Sequence, residues 1–134
     1  MTGLKEDYIN YRISKSQETY EDALLLIEND RWNSAVNRLY YSSFYLASAL
    51  LFKNRIQADT HNGVKTQLYK HYIKTGLLDK KYGLLYSHLF DWRQETDYAD
   101  FIEFEKETVY PLKEEVGELN RTLKQLIKND KENE

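Results

Sequence analysis

From Leu4 to Glu28 the apolar positions Ile9, Ile13, Tyr20, Leu24 and Ile27 recur at three, four or sums of those steps, the spacing that lines one face of an α-helix. No proline or glycine interrupts the helix face. In the following Asn29-Asp30-Arg31-Trp32, Asp30 is expected to act as an N-cap, its side chain taking up an orphan backbone N–H of a second helix. A tight helical hairpin follows. The second helix should run to about Lys53, and its stretch LYYSSFYLASALLF is apolar on nearly every side, which places it in the middle of a bundle. Between Asn54 and Asn62 the pattern lapses. Thr60 then caps a third helix carrying Val64, Leu68, Tyr72 and Ile73, and Gly76 stops it. Asp79 caps a fourth, in which Tyr82, Leu85, Leu89 and Trp92 form a stripe expected to face the core.

After the acidic stretch from Asp97 to Glu107, Pro111 suits the first turn of a last helix, where its missing N–H costs nothing. Leu112, Val116, Leu119, Leu123 and Leu126 alternate steps of four and three, a heptad-like seam that fits the bundle interior and a second subunit equally well. The domain is expected over residues 5–128, with 129–134 a frayed tail.

Composition narrows the class. A chain of 134 residues has room for one domain, and 41% hydrophobic with 31% charged residues suits a globular helical protein. Five glycines and one proline provide too few turns for a many-stranded sandwich. There is no cysteine, so disulfides, thiolate catalysis and cysteine-based zinc sites are excluded. The start MTGLKEDYIN has no apolar leader, and no stretch approaches the roughly 20 apolar residues that span a membrane, so a cytoplasmic protein is expected. A net charge of −3 argues against a broad basic surface, and any RNA contact should be focused.

Opposite the Trp92 stripe, Tyr86, Phe90, Arg93 and Asp97 stand at steps of four, three and four on one side of the fourth helix. Arginine four residues before its acid is the less favourable order for a helical ion pair, and an acid in a last turn opposes the helix dipole. These residues fit a bridging ion pair or a phosphate or nucleobase site. Arg38, Ser42 and Tyr45 form a polar line on the central helix, where Arg38 must reach solvent or meet an acid such as Asp97. His61, His71 and His88 show no metal-ligand spacing, so no metal and no cofactor are expected. His61 stands at a helix start, which suits a cap and also an anion. Twelve tyrosines with Trp32 and Trp92 can pack or offer stacking platforms. Phosphate loops and nucleophile elbows are absent, which disfavours a conventional enzyme.

Three segments, N-R-L-Y-Y-S-S-F-Y from Asn37 to Tyr45, T-H-N-G-V from Thr60 to Val64 and R-Q-E-T-D-Y from Arg93 to Tyr98, resemble the small stand-alone proteins of the HEPN superfamily. The likeness runs from about Tyr8 into the final helix. It implies an all-α, up-and-down bundle of four to five helices, frequent homodimers, and genetic pairing with minimal nucleotidyltransferases in toxin–antitoxin or defence modules. Many members of that superfamily are metal-independent ribonucleases with an arginine followed, after four to six residues, by a histidine. Arg93 matches the arginine, but Tyr98, Ala99 and Asp100 stand where the histidine would fall. The resemblance therefore implies a module that binds RNA, a nucleotide or a nucleotidyltransferase partner, with Arg93, Asp97, Tyr98, Arg38, Tyr41 and His61 as binding candidates and no assigned catalytic residue. Arg93, Asp97 and Tyr98 are expected beside Arg38. The alternatives are a divergent ribonuclease in which His61 or Tyr98 replaces the missing histidine across a dimer cleft, and a purely structural protein whose last helix forms an interface.

Overall fold

The computed structural model describes residues 2–98 and 102–129, and every regular element among them is helical. In chain order these are α1 (Thr2–Glu28), α2 (Trp32–Lys53), α3 (His61–Leu68) running into a π-helical turn (Tyr69–Ile73), α4 (Lys80–Tyr98), the single turn α5 (Lys106–Val109) and α6 (Leu112–Asn129). The all-α bundle expected from the periodicity forms from the five longer helices. The tail beyond residue 129, expected to fray, lies outside the described residues.

α2 is the centre of the bundle, with α1 packed along it and α6, α4 and α3 closing around the rest. Leu39, Leu46 and Leu50 are fully buried, each contributing about 1.5–3 kcal/mol through apolar surface removed from water. The heptad-like seam of α6 is consumed inside the subunit: Leu112, Val116, Leu119 and Leu123 are buried and Leu126 packs against the core. It offers no free face to a second copy.

Polar groups accompany the apolar ones on the α1/α6 side of α2. The Ser16 hydroxyl donates to the Ser42 carbonyl at 2.6 Å, and Ser43 donates to Asn120 Oδ1 at 2.7 Å. Asn120 Nδ2 donates to Ser42 Oγ at 3.0 Å, while Ser42 itself donates to the Leu39 carbonyl at 2.7 Å. Ser42 therefore belongs to this network rather than to a polar line with Arg38 and Tyr45.

Asp30 acts at a different helix end from the one expected. Asp30 does not cap α2, whose N-cap is Arg31 with no side-chain bond; it ends α1 instead, at φ 57°. The Asp30 N–H reaches the Ile27 carbonyl and the Arg31 N–H the Leu26 carbonyl, the paired bonds of a Schellman closure. Arg55, at φ 59°, closes α2 in the same way through Arg55 to Phe52 and Ile56 to Leu51. Aspartate is favoured at an N-cap and also tolerates the left-handed region, so the residue type alone leaves its role open.

Thr60 and Asp79 do cap: Thr60 Oγ1 accepts from the Gly63 N–H at 2.9 Å, and Asp79 Oδ1 accepts from the Lys81 N–H at 2.9 Å. Gly76 ends the third helical segment at φ 83°, a conformation that suits a residue without a Cβ. The π turn before it brings Ile73 against Gly83 of α4, where a Cβ would lie 3.0 Å from Ile73 Cδ1. Pro111 directly precedes α6, with the unforeseen α5 just before it.

Candidate functional site

On α4 the stripe expected to face the core does pack against it, but the opposite face lies deeper. Tyr86, Phe90 and Arg93 are buried, whereas Tyr82, Leu85 and Trp92 of the expected core stripe are only half-buried and Leu89 alone of that stripe is fully buried. The face carrying the arginine is the one turned toward α2.

Arg93 is 5% exposed, its guanidinium carbon 5.2 Å from the centre of the Tyr40 ring and 5.7 Å from that of Phe90. Such contacts with ring faces partly replace water around a buried cation. Its Nη1 meets Asp97 Oδ2 at 3.3 Å. Asp97 Oδ1 accepts from Asn37 Nδ2 at 3.1 Å, and Asn37 Oδ1 in turn accepts from Arg38 Nη2 at 2.9 Å. Arg38 thus reaches Asp97 through Asn37 rather than by an ion pair, and its guanidinium carbon lies 5.1 Å from the Tyr41 ring centre.

α3 brings the third component. With Thr60 fixing the helix start, His61 is its first residue, and His61 Nδ1 lies 2.9 Å from the Tyr40 hydroxyl while its ring sits 4.5 Å from that of Phe44. Tyr40 therefore carries Arg93 on its ring and His61 on its hydroxyl. Burial, together with the Arg93 charge and against the opposing Asp97 charge, pushes the His61 pKa down, so its neutral form dominates at pH 7. Burial also drives the Tyr40 pKa up to about 12 and that of Tyr86 well above its ordinary value, so neither phenol is a base at neutral pH.

Two buried groups here lack partners. Among the described residues, Arg93 Nε and the Tyr86 hydroxyl have no hydrogen bond in regular geometry. The Tyr86 hydroxyl nonetheless lies near enough to Tyr40 to lower the Tyr40 pKa as a donor does. A buried donor without an acceptor costs about 1–3 kcal/mol, so this cluster is held at some expense in stability.

Of the residues singled out in the sequence, Arg93, Asp97, Arg38, Tyr41 and His61 fall in one cluster between α2, α3 and α4. Tyr98, 80% exposed at the end of α4, stands outside the buried part. Sequence reasoning missed Asn37 and Tyr40, which join the others. Their signal was spacing: Asn37, Tyr40 and Tyr41 occupy one face of α2 at steps of three and one. Among the described residues no three histidine or acidic side chains converge as a metal site, and no helix is long and apolar enough to cross a membrane.

Against known proteins, the HEPN domain family matches residues 9–130. A UPF0332 protein of Thermotoga maritima is 40% identical over 78% of this chain and 80% of its own length. A protein of Methanocaldococcus jannaschii named "Putative toxin" is 35% identical over 86% of this chain and 79% of its own. A second with that name from the same organism is 26% identical over 86% and 88%. With the match extending from α1 through α6 and taking in every residue of the cluster, the chain belongs to the HEPN domain family.

Proposed function

We propose that this chain is a toxin-type HEPN module that binds single-stranded RNA, taking a phosphate at the Arg93 cluster, and that it works opposite an antitoxin partner with nucleotidyltransferase chemistry. The observation that carries the RNA reading is Arg93 itself, a buried guanidinium with one carboxylate on Nη1 and an Nε that no group among the described residues satisfies. A guanidinium is a fork suited to phosphate oxygens, and Arg38 and His61 flank it. The toxin names of two relatives support the biological setting, and the family resemblance supports the partner. A homodimer in solution would use a face other than the α6 seam, and light scattering at tens of micromolar reads it out.

Fluorescence anisotropy with a labelled single-stranded RNA tests the RNA reading. Arg93→Met, which roughly preserves volume, should weaken binding about tenfold and lower the salt slope by about one. Unchanged affinity and slope would sink it.

One contact favours a second reading, metal-independent cleavage: the Tyr40 hydroxyl ties His61 to the arginine, and His61 is held neutral. In that reading His61 Nε2 takes the proton of a ribose 2′-hydroxyl, the freed oxygen attacks the adjoining phosphorus, and the P–O5′ bond breaks with the 5′-oxygen taking a proton from solvent water as a cyclic phosphate forms. It requires Nδ1 to carry the ring proton and Tyr40 to accept it. Cleavage in EDTA that disappears in both Arg93→Met and His61→Gln would establish it. Tight binding to RNA that stays intact would leave binding alone.

A further inference from the structure

On the other side of His61 lies a cleft of about 370 Å³ between the N-terminal half of α1, the C-terminal half of α2 and the loop that leads to Thr60. Its size falls within the range of small-ligand pockets. The walls are aromatic and the charge is specific. Tyr8 and Phe52 meet with ring centres 4.7 Å apart and remain 37% and 44% exposed. Phe44 lines the inner side, packed on the His61 ring.

Arg12 also lines the cleft. Its guanidinium carbon lies 5.2 Å from the Tyr8 ring centre and 5.4 Å from that of Tyr45, and its Nε donates to the Tyr8 hydroxyl at 2.9 Å. No carboxylate pairs with it among the described residues. The acid at the rim, Asp59, accepts from Gln57 at 3.0 Å.

We propose that this cleft is a nucleotide subsite of the RNA strand held at Arg93: a base packs on the Tyr8–Phe52 wall, its phosphate meets Arg12, and His61 stands between the two arginines. The inference rests on the RNA reading above and names the form of RNA it selects. Stacking walls suit a base, since every base has a π-face, and a stacked guanidinium suits a phosphate. A bare anion would leave the aromatic walls unused, and an apolar ligand would leave Arg12 without a counter-charge. Asp59 supplies an acceptor for a ribose hydroxyl. A base still paired in a duplex cannot enter a cleft of this kind, so the subsite selects single strands.

The test uses the full chain, a labelled single-stranded RNA heptamer, the same heptamer made abasic, and the variants Arg12→Met and Tyr8→Leu. Each variant should weaken heptamer binding about tenfold. Arg12→Met should also lower the salt slope by about one, while Tyr8→Leu leaves the slope alone and has no effect on the abasic strand. Circular dichroism melting verifies the fold. Should a variant unfold, 5′-UMP is titrated into the wild-type protein, where amide shifts confined to Tyr8, Arg12 and Phe44 support the subsite and shifts elsewhere overturn it. If both variants bind the heptamer like wild type while Arg93→Met loses it, the subsite is wrong and the RNA reading stands. If wild type binds no RNA, both fall.

Discussion

On its α1/α6 side, α2 buries Ser16, Ser42, Ser43 and Asn120 in a network whose members bond one another or backbone carbonyls. On its α4 side it buries Tyr40 against Arg93 and Tyr86, and there, among the described residues, Arg93 Nε is left without a partner and the Tyr86 hydroxyl has only the approach to Tyr40. The two clusters share a helix and a degree of burial. They differ in whether the protein satisfies its own polar atoms. A completed network lowers the free energy of the fold and holds helices in register; an incomplete one gives up stability, which makes it the place to look for a ligand.

The largest effect that would sharpen this contrast is expected in the completed network. Asn120→Ala leaves Ser43 and Ser42 short of a partner and opens a small void, and should cost about 2–3 kcal/mol in chemical denaturation without changing RNA affinity. A loss below about 0.5 kcal/mol would erase the distinction between the clusters.

The same experiment on the other side should give a smaller loss of stability and a larger loss of binding. Arg93→Met removes a cation that lacks full hydrogen bonding, so the fold should change by under about 1 kcal/mol while RNA affinity falls about tenfold. Truncation to alanine is less informative, because the guanidinium is packed on Tyr40 and Phe90 and its removal also creates a cavity.

A smaller effect is set by acidity. Because folding lowers the His61 pKa, the unfolded chain takes up that proton first, and stability depends on pH with a definite sign. His61's contribution is full above its ordinary value of 6.5 and is lost as the pH falls through the folded-state pKa. His61→Gln should remove that part of the acid dependence, and nuclear magnetic resonance should find the His61 midpoint below 6.5 in the wild type and raised in Arg93→Met. A midpoint at or above 6.5 in the wild type would mean that burial does not govern His61, and one unchanged in Arg93→Met that His61 does not feel the arginine.

The smallest change lies outside both clusters and serves as their control. Asp30→Gly relieves a left-handed residue at the end of α1 and should stabilise the fold by about 0.5 kcal/mol, leaving binding untouched.

Much of this architecture was legible in the chain because its signals are local. Thr60, Asp79 and Gly76 act through bonds or dihedrals within a few residues, and α2 is so apolar that only a central position suits it. Asp30 was misread because one side chain serves two helix-end geometries. The depth of the Arg93 face of α4 was not legible because periodicity counts Arg93 as polar, and it has no way to register that an aromatic ring on another helix covers the cation. α5 is too short to have a period. In the site, the Arg93–Asp97 pair was readable from helical spacing. The nearness of His61 was not: it depends on how α3 lands against α2, and Tyr40, the residue that makes the connection, is one tyrosine among twelve.

The close approach of Gly83 to Ile73 joins the third helical segment to α4. α3 runs without a break into its π turn, with His61 at one end and Ile73 against α4 at the other. Adding one methyl group at position 83 would press on Ile73 and require it to give by a few tenths of an ångström. A hydrogen atom in place of a side chain at position 83 is therefore what lets the π turn and α4 lie this close together.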